Sequence, residues 1–152
     1  MNERFVARMR DPNVSNDTTI LGDFVRIWCD GYHRGSVRRS VETDGARLGV
    51  YGRKVPVLCE ECEAHLAYAE KRRAYCPHDP KPFCAYCETH CYVSEERAWQ
   101  RGMMRYAGPR SWRSGHAMDA IRHMLDGRKY KKLAGAKDRV AGAEERTREE
   151  SR

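Results

Sequence analysis

No apolar run in this 152-residue chain approaches the roughly 20 residues that a membrane-spanning helix needs. The opening MNERFVARMR also lacks the continuous apolar stretch of a secretory signal. The expectation is therefore a cytoplasmic protein with no membrane partner, in a compartment where thiols stay reduced. Aromatics are limited to 9% and hydrophobic residues to 40%, enough for one domain with a modest core. There are no internal repeats beyond two C-x2-C pairs. No nucleophile–base motif stands out, so no enzyme class is assigned: metal ligation accounts for the many Cys and His residues more economically. Basic residues form no decisive block either. The formal net charge is +7, but with seven ligating thiolates and two zinc ions it falls to about +4. A four-iron cluster plus one zinc leaves the same sum. Nucleic acid is thus an alternative partner and not the favoured one. No protein partner can be named.

What is abundant is cysteine, and it is clustered. Six of the seven cysteines lie between Cys59 and Cys91. They comprise the pairs Cys59/Cys62 and Cys84/Cys87, with Cys76 between them and Cys91 just after. A C-x2-C pair lets two thiolates converge on one ion across a tight turn. The bland alternative is a set of small buried hydrophobes. It does not explain paired thiols in a stretch full of Glu, Lys, Arg and His. An odd cysteine count in a reducing compartment also favours metal ligands over disulfides.

The fold class expected is mainly α: a small helical domain around a cysteine-rich metal centre, with a short β-hairpin insertion. Residues 1–16 mix charge with Pro12, Asn and Ser and read as a flexible N-terminus. The domain spans 17–127. Asp17 or Thr18 can cap a helix running to His33, whose apolar face carries Ile20, Leu21, Phe24, Val25, Ile27 and Trp28. Cys29 and His33 lie one turn apart near its end and can project in the same direction. Residues 35–57 form a Gly- and Arg-punctuated insertion in which Leu48–Tyr51 reads as a short strand. Arg34, Arg38, Arg39, Arg47 and Arg53 there are charges that solvate a loop more readily than they meet phosphates. A helix starts at Cys59, because its first turn directs amide N–H groups toward thiolates, and runs to Tyr75. Cys76-Pro77 through Pro82 forms a constrained loop. Ser94 starts a helix that Gly108-Pro109 stops, and Ser114 starts another closed by Gly127. Residues 128–152 read as a charged, disordered tail.

Eight candidate ligands divide into two groups of four. Cys76, Cys84, Cys87 and Cys91 make an all-thiolate set suited to zinc or to an iron–sulfur cluster such as 4Fe–4S. Cys29, His33, Cys59 and Cys62 make a mixed thiolate–imidazole metal site. Other divisions remain open, including one ribbon-like zinc site built from both pairs, although Cys62 and Cys84 are slightly too far apart for the usual ribbon. The order C-x2-C-x3-C is the reverse of the radical-SAM spacing, so that class is not supported. The segment Met104–Arg110 is expected to pack beside the metal centre, turning Arg105 or Arg110 toward the thiolates.

With these residues laid out, the sequence resembles the nitrous-oxide-stimulated-promoter family of small bacterial proteins. The matching features are Cys29…His33, LCEEC at Leu58–Cys62, YA with basic residues at Tyr68–Arg73, and CPH at Cys76. They continue with KPFCAYC at Lys81–Cys87, THCY at Thr89–Tyr92, and MRYAGPR at Met104–Arg110. The likeness covers most of the chain apart from both termini and the 35–57 insertion, which is longer than the family pattern. The resemblance implies a cytoplasmic bacterial protein of the nitrosative-stress response that senses, scavenges or helps repair damage, with nitric oxide as its small-molecule ligand. Because nitric oxide attacks iron–sulfur clusters, the resemblance tilts the Cys76–Cys91 site toward iron. The alternative is a zinc-stabilised module in which Arg101, Arg105, Arg110 and Arg113 bind nucleic acid or a protein.

Overall fold

The backbone begins in a helix, not in a loose lead-in. In the computed structural model, which describes residues 1–78, 81–82, 84, 87–89 and 91–114 with isolated positions 125, 128 and 132, α1 spans Glu3–Met9. Asn2 caps it, its side-chain oxygen accepting the Arg4 N–H at 2.8 Å. Phe5 and Met9 are buried with Val14 and Ala74 in a small satellite cluster. The second helix, α2, covers Pro12–Tyr32, five residues earlier than Asp17 would have started it. Asp11 is the cap, accepting from the N–H groups of Asn13 and Val14 at 2.9 and 3.1 Å. Pro12 stands at the first helical position, where its missing N–H costs nothing.

The inserted segment folds back in short pieces. Strand β1 (Arg39–Ser40) pairs antiparallel with β2 (Val57–Leu58), with Arg39 opposite Leu58 and Ser40 opposite Val57. Between them is a one-turn helix, α3 (Asp44–Arg47), capped by the Thr43 hydroxyl. The strand expected at 48–51 is instead a turn, and Gly49 and Gly52 hold positive φ angles there. What pins this segment is Glu70. Its carboxylate is 1% exposed and accepts from the Thr43 hydroxyl at 2.6 Å, the Gly45 N–H at 2.9 Å and the Tyr51 hydroxyl. Burial lifts the Glu70 carboxyl above the usual range, although the three donors oppose that shift.

Helix α4 (Glu60–Ala74) starts directly after Cys59, with Glu60, Glu61 and Glu63 in its first turn and Lys71, Arg72 and Arg73 in its last. Those charges suit both ends of the helix dipole. It buries Cys62, Leu66 and Ala69 against α2 and turns Glu70 to the inserted segment. Arg73 ties the two helices, its Nε lying 2.6 Å from an Asp17 carboxylate oxygen. Helix α5 (Ser94–Ala107) packs on α2 through Met103 and Ala107, then tightens into a 3₁₀ stretch over Gly108–Ser114. The protein is therefore mainly α, with a two-stranded sheet of minimal length.

Contacts divide the chain into two units, Met1–Pro77 with Cys91–Ala117, and His78–His90 with Met118–Arg152. The elements above belong to the first. In the second, His78 Nε2 lies 2.7 Å from the Thr89 hydroxyl, Cys84 is exposed and Cys87 half-buried. The helix expected from Ser114 to Gly127 and the tail at 128–152 lie outside the described residues, isolated positions excepted.

Candidate metal centre

Two short-range patterns bring four candidate ligands to one place. The last turn of α2 carries Cys29 and places His33 at its C-cap, where the His33 N–H bonds the Cys29 carbonyl at 2.9 Å. Strand β2 delivers the first C-x2-C pair: Leu58 is buried, Cys59 is the N-cap of α4, and Cys62 lies in its first turn. The sulfurs of Cys29, Cys59 and Cys62 all lie within 4.8 Å of one another. His33 Nδ1 is 3.2 Å from the Cys59 sulfur and 3.8 Å from that of Cys62. The Cys59 N–H also points at the Cys29 sulfur, 3.5 Å away.

The environment separates the three thiols. Burial pushes the Cys62 thiol far up, with its sulfur neighbours adding to the effect, and raises that of Cys29. At Cys59 burial acts the same way, but it is outweighed by hydrogen bonds from the Cys62 N–H, His33 and the neighbouring thiols. Its pKa falls below the ordinary thiol value. Three thiol sulfurs gathered within 4.8 Å, with the His33 Nδ1 against two of them, are not how small hydrophobes pack, because the imidazole would lose water for no apolar gain. The donor set is that of a closed structural zinc site of three cysteines and one histidine. Bonds of about 2.3 Å in a tetrahedron put sulfurs about 3.8 Å apart, so the three sulfurs need only slight contraction, whereas His33 Nδ1, which sits against Cys59 and Cys62 and outside the three-sulfur group, would also have to turn toward Cys29. The residues fit a tetrahedral metal, and a cluster of three cysteines that could bind one is present.

A guanidinium stands beside this group, and it is Arg38. It donates to the carbonyls of Cys29 at 2.9 Å and His33 at 3.0 Å and also pairs with Asp30. The thiol positions of Cys29 and Cys59 add to the forces that keep it charged. Arg105 and Arg110 do not take that role. Arg105 is exposed on α5, while Arg110 lies 3.8 Å from the Tyr106 ring centre and donates to the Tyr106 carbonyl. The Met104–Arg110 segment nevertheless lies against the end of α2. A Cβ at Gly31 would meet the Tyr106 hydroxyl at 2.1 Å, and Tyr106 packs edge-on against Trp28 and Tyr32.

The structure thus joins the first C-x2-C pair to Cys29 and His33. Of the other group, Cys76 and Cys91 are half-buried in the first unit, whereas Cys84 and Cys87 belong to the second. Sequence reasoning missed Arg38 and Glu61, whose carboxylate reaches within 3.8 Å of His33 Nδ1. Nothing in the pattern marks either one: both read as ordinary solvated charges.

Comparison with known proteins agrees with the motif pattern. The family model described as "Nitrous oxide-stimulated promoter" matches residues 13–135, and the chain belongs to that family. A curated protein of Escherichia coli (strain K12), called "Uncharacterized protein YgbA", is 41% identical over 69 residues, covering 44% of this chain and 57% of that protein. The chain thus spans little more than half of that relative's length. No solved structure matches.

Proposed function

We propose that this member of the nitrous oxide-stimulated promoter family is a cytoplasmic metal-binding protein that senses or scavenges nitrogen oxides. Cys29, His33, Cys59 and Cys62 would hold zinc, and Cys76, Cys84, Cys87 and Cys91 would carry an iron–sulfur cluster of the 4Fe–4S type. The observation that carries the reading is the convergence of three buried sulfurs within 4.8 Å of one another, with His33 Nδ1 beside two of them. The family description supplies the link to nitrogen oxides. Bound zinc would cross-link α2 to the start of α4, and an iron–sulfur cluster would supply a centre that nitric oxide degrades. The chain's own residues hold the donors in place: Arg38 fixes the carbonyls of two of them, and Cys59 starts the helix on which Cys62 sits.

The test is the anaerobically purified protein's iron, sulfide and zinc content together with its visible spectrum before and after nitric oxide. Zinc with a visible absorption that nitric oxide bleaches is the expected result. A protein without metal would refute the reading. Zinc alone, joined to DNA binding that weakens steeply with salt, would favour a zinc-stabilised nucleic-acid module, since phosphate contacts release counterions.

A further inference from the structure

Of the three cysteines, only Cys59 borders a solvent-open pocket. Cys29 and Cys62 are fully buried, with no exposed surface, whereas Cys59 retains 5%. The pocket, of about 560 Å³, lies directly over this edge, lined by His33, Ser36, Val37, Cys59, Glu60 and Glu61. Neither Cys29 nor Cys62 contributes to its wall. Val37, on one side, is 93% exposed, so that side of the mouth is wide. The wall's formal charges are the carboxylates of Glu60 and Glu61. A small molecule approaching from solvent meets Cys59 and the edge of His33 first.

We infer that Cys59 is the thiol through which small uncharged or cationic electrophiles, nitroso donors among them, enter the centre. The inference rests on the metal-binding reading for its biological meaning, but the order of reaction among the thiols is a property of the chain itself. For a low-molecular-weight S-nitrosothiol the step is a nitroso transfer. The Cys59 sulfur lone pair forms the new S–N bond, the donor's S–N bond breaks, and its electron pair leaves on the donor sulfur as a thiolate. The proton of the Cys59 thiol passes to the departing thiolate, and oxidation of the Cys59 sulfur is matched by reduction of the donor sulfur, so no further reactant is needed. Modification takes one of the four donors from the group. Carboxylates at the mouth repel anionic reagents and spare neutral ones, which makes charge a selection rule for what reaches the sulfur.

The test leaves every cysteine in place, so a misfolded cysteine variant cannot obscure it. The protein as purified is treated with limiting iodoacetamide or with iodoacetate, its anionic near-isostere, and each cysteine is quantified by peptide mass spectrometry over time. Sulfur displaces iodide in both cases, giving a stable mark. Cys59 should be alkylated about tenfold faster than Cys29 and Cys62, because of the three only Cys59 borders the pocket. The neutral reagent's advantage at Cys59 should shrink about threefold in a Glu60→Gln/Glu61→Gln variant, while exposed Cys84 serves as the reference. Equal rates at Cys29 or Cys62, or an inert Cys59 beside a fully reacted Cys84, would overturn the inference. Metal content measured before treatment reports separately on the metal-binding reading. A metal-free protein that still reacts first at Cys59 would remove that reading and leave the entry point standing.

Discussion

Arg38 Nη2 donates to the carbonyl of Cys29 at 2.9 Å, so a residue of the inserted segment fastens the turn that presents a candidate ligand. The same nitrogen reaches the His33 carbonyl, and the guanidinium's other side pairs with Asp30. A planar fork can serve these acceptors at once, whereas a lysine ammonium on a flexible stem cannot hold the same geometry. Arg38→Gln is expected to lower metal affinity by about 10- to 100-fold, the usual effect of removing a group that orients ligands. Arg38→Lys should recover little. Competition titration against a chromogenic chelator measures both.

The grouping of the ligands can be counted. Cys29→Ser and Cys62→Ser should each remove the same equivalent of metal, and Cys84→Ser should leave that equivalent in place. Loss of different equivalents in the first two variants, by elemental analysis, would separate Cys29 from Cys62. Chelation of the wild-type protein should lower its melting temperature and helicity together, because binding energy at such a site is folding energy.

Glu70 gives a pH signature away from the thiols. Its folded pKa lies above the unfolded value because burial outweighs its three donors. A carboxyl raised on folding contributes stability in the protonated state, and that contribution is lost as pH rises from about 4.3 through the folded pKa. The melting temperature of wild type minus that of Glu70→Gln should therefore fall across this window. Glu70→Ala should cost about 3 kcal/mol by leaving the buried Thr43, Tyr51 and Gly45 donors unpaired. Urea denaturation at several pH values gives both quantities.

The N-terminal helix contributes to stability. Phe5 is 3% exposed and belongs to the cluster with Met9, Val14 and Ala74. Phe5→Ala should destabilise the fold by about 3 kcal/mol through lost burial and the cavity left behind. An unchanged denaturation midpoint would mean that α1 makes no energetic contribution.

These residues also show what could be read from the chain alone. Helices α4 and α5 were legible within a residue or so, since acidic first turns, a basic last turn in α4 and the Gly108-Pro109 stop all agree. One helical turn of spacing placed Cys29 and His33 at the same end of α2, while the contacts of His33 Nδ1 with Cys59 and Cys62 are tertiary. The start of α2 was misplaced because Asp17 and Thr18 looked like caps, although Asp11-Pro12 is the stronger signal. For α1, seven residues are too few for a local pattern, and the burial of Phe5 and Met9 against Ala74 is tertiary. Nothing in the sequence sets Glu70 apart from the other acids of its helix. Its three donors come from a segment 19 to 27 positions away, which no local periodicity reports.

Trp28 precedes Cys29 in the chain and stacks on Tyr32 at 4.1 Å, with Trp99 edge-on at 5.9 Å. Both indoles belong to the aromatic group packed against the core that contains Cys29, Cys59 and Cys62. Zinc does not absorb where tryptophan emits, but cobalt(II) put in its place does, and energy transfer to it from indoles packed against the same core falls steeply with distance. The emission of the native chain would then report loading and loss at the centre without any attached dye, and Trp99→Phe would show how much of that light comes from α5.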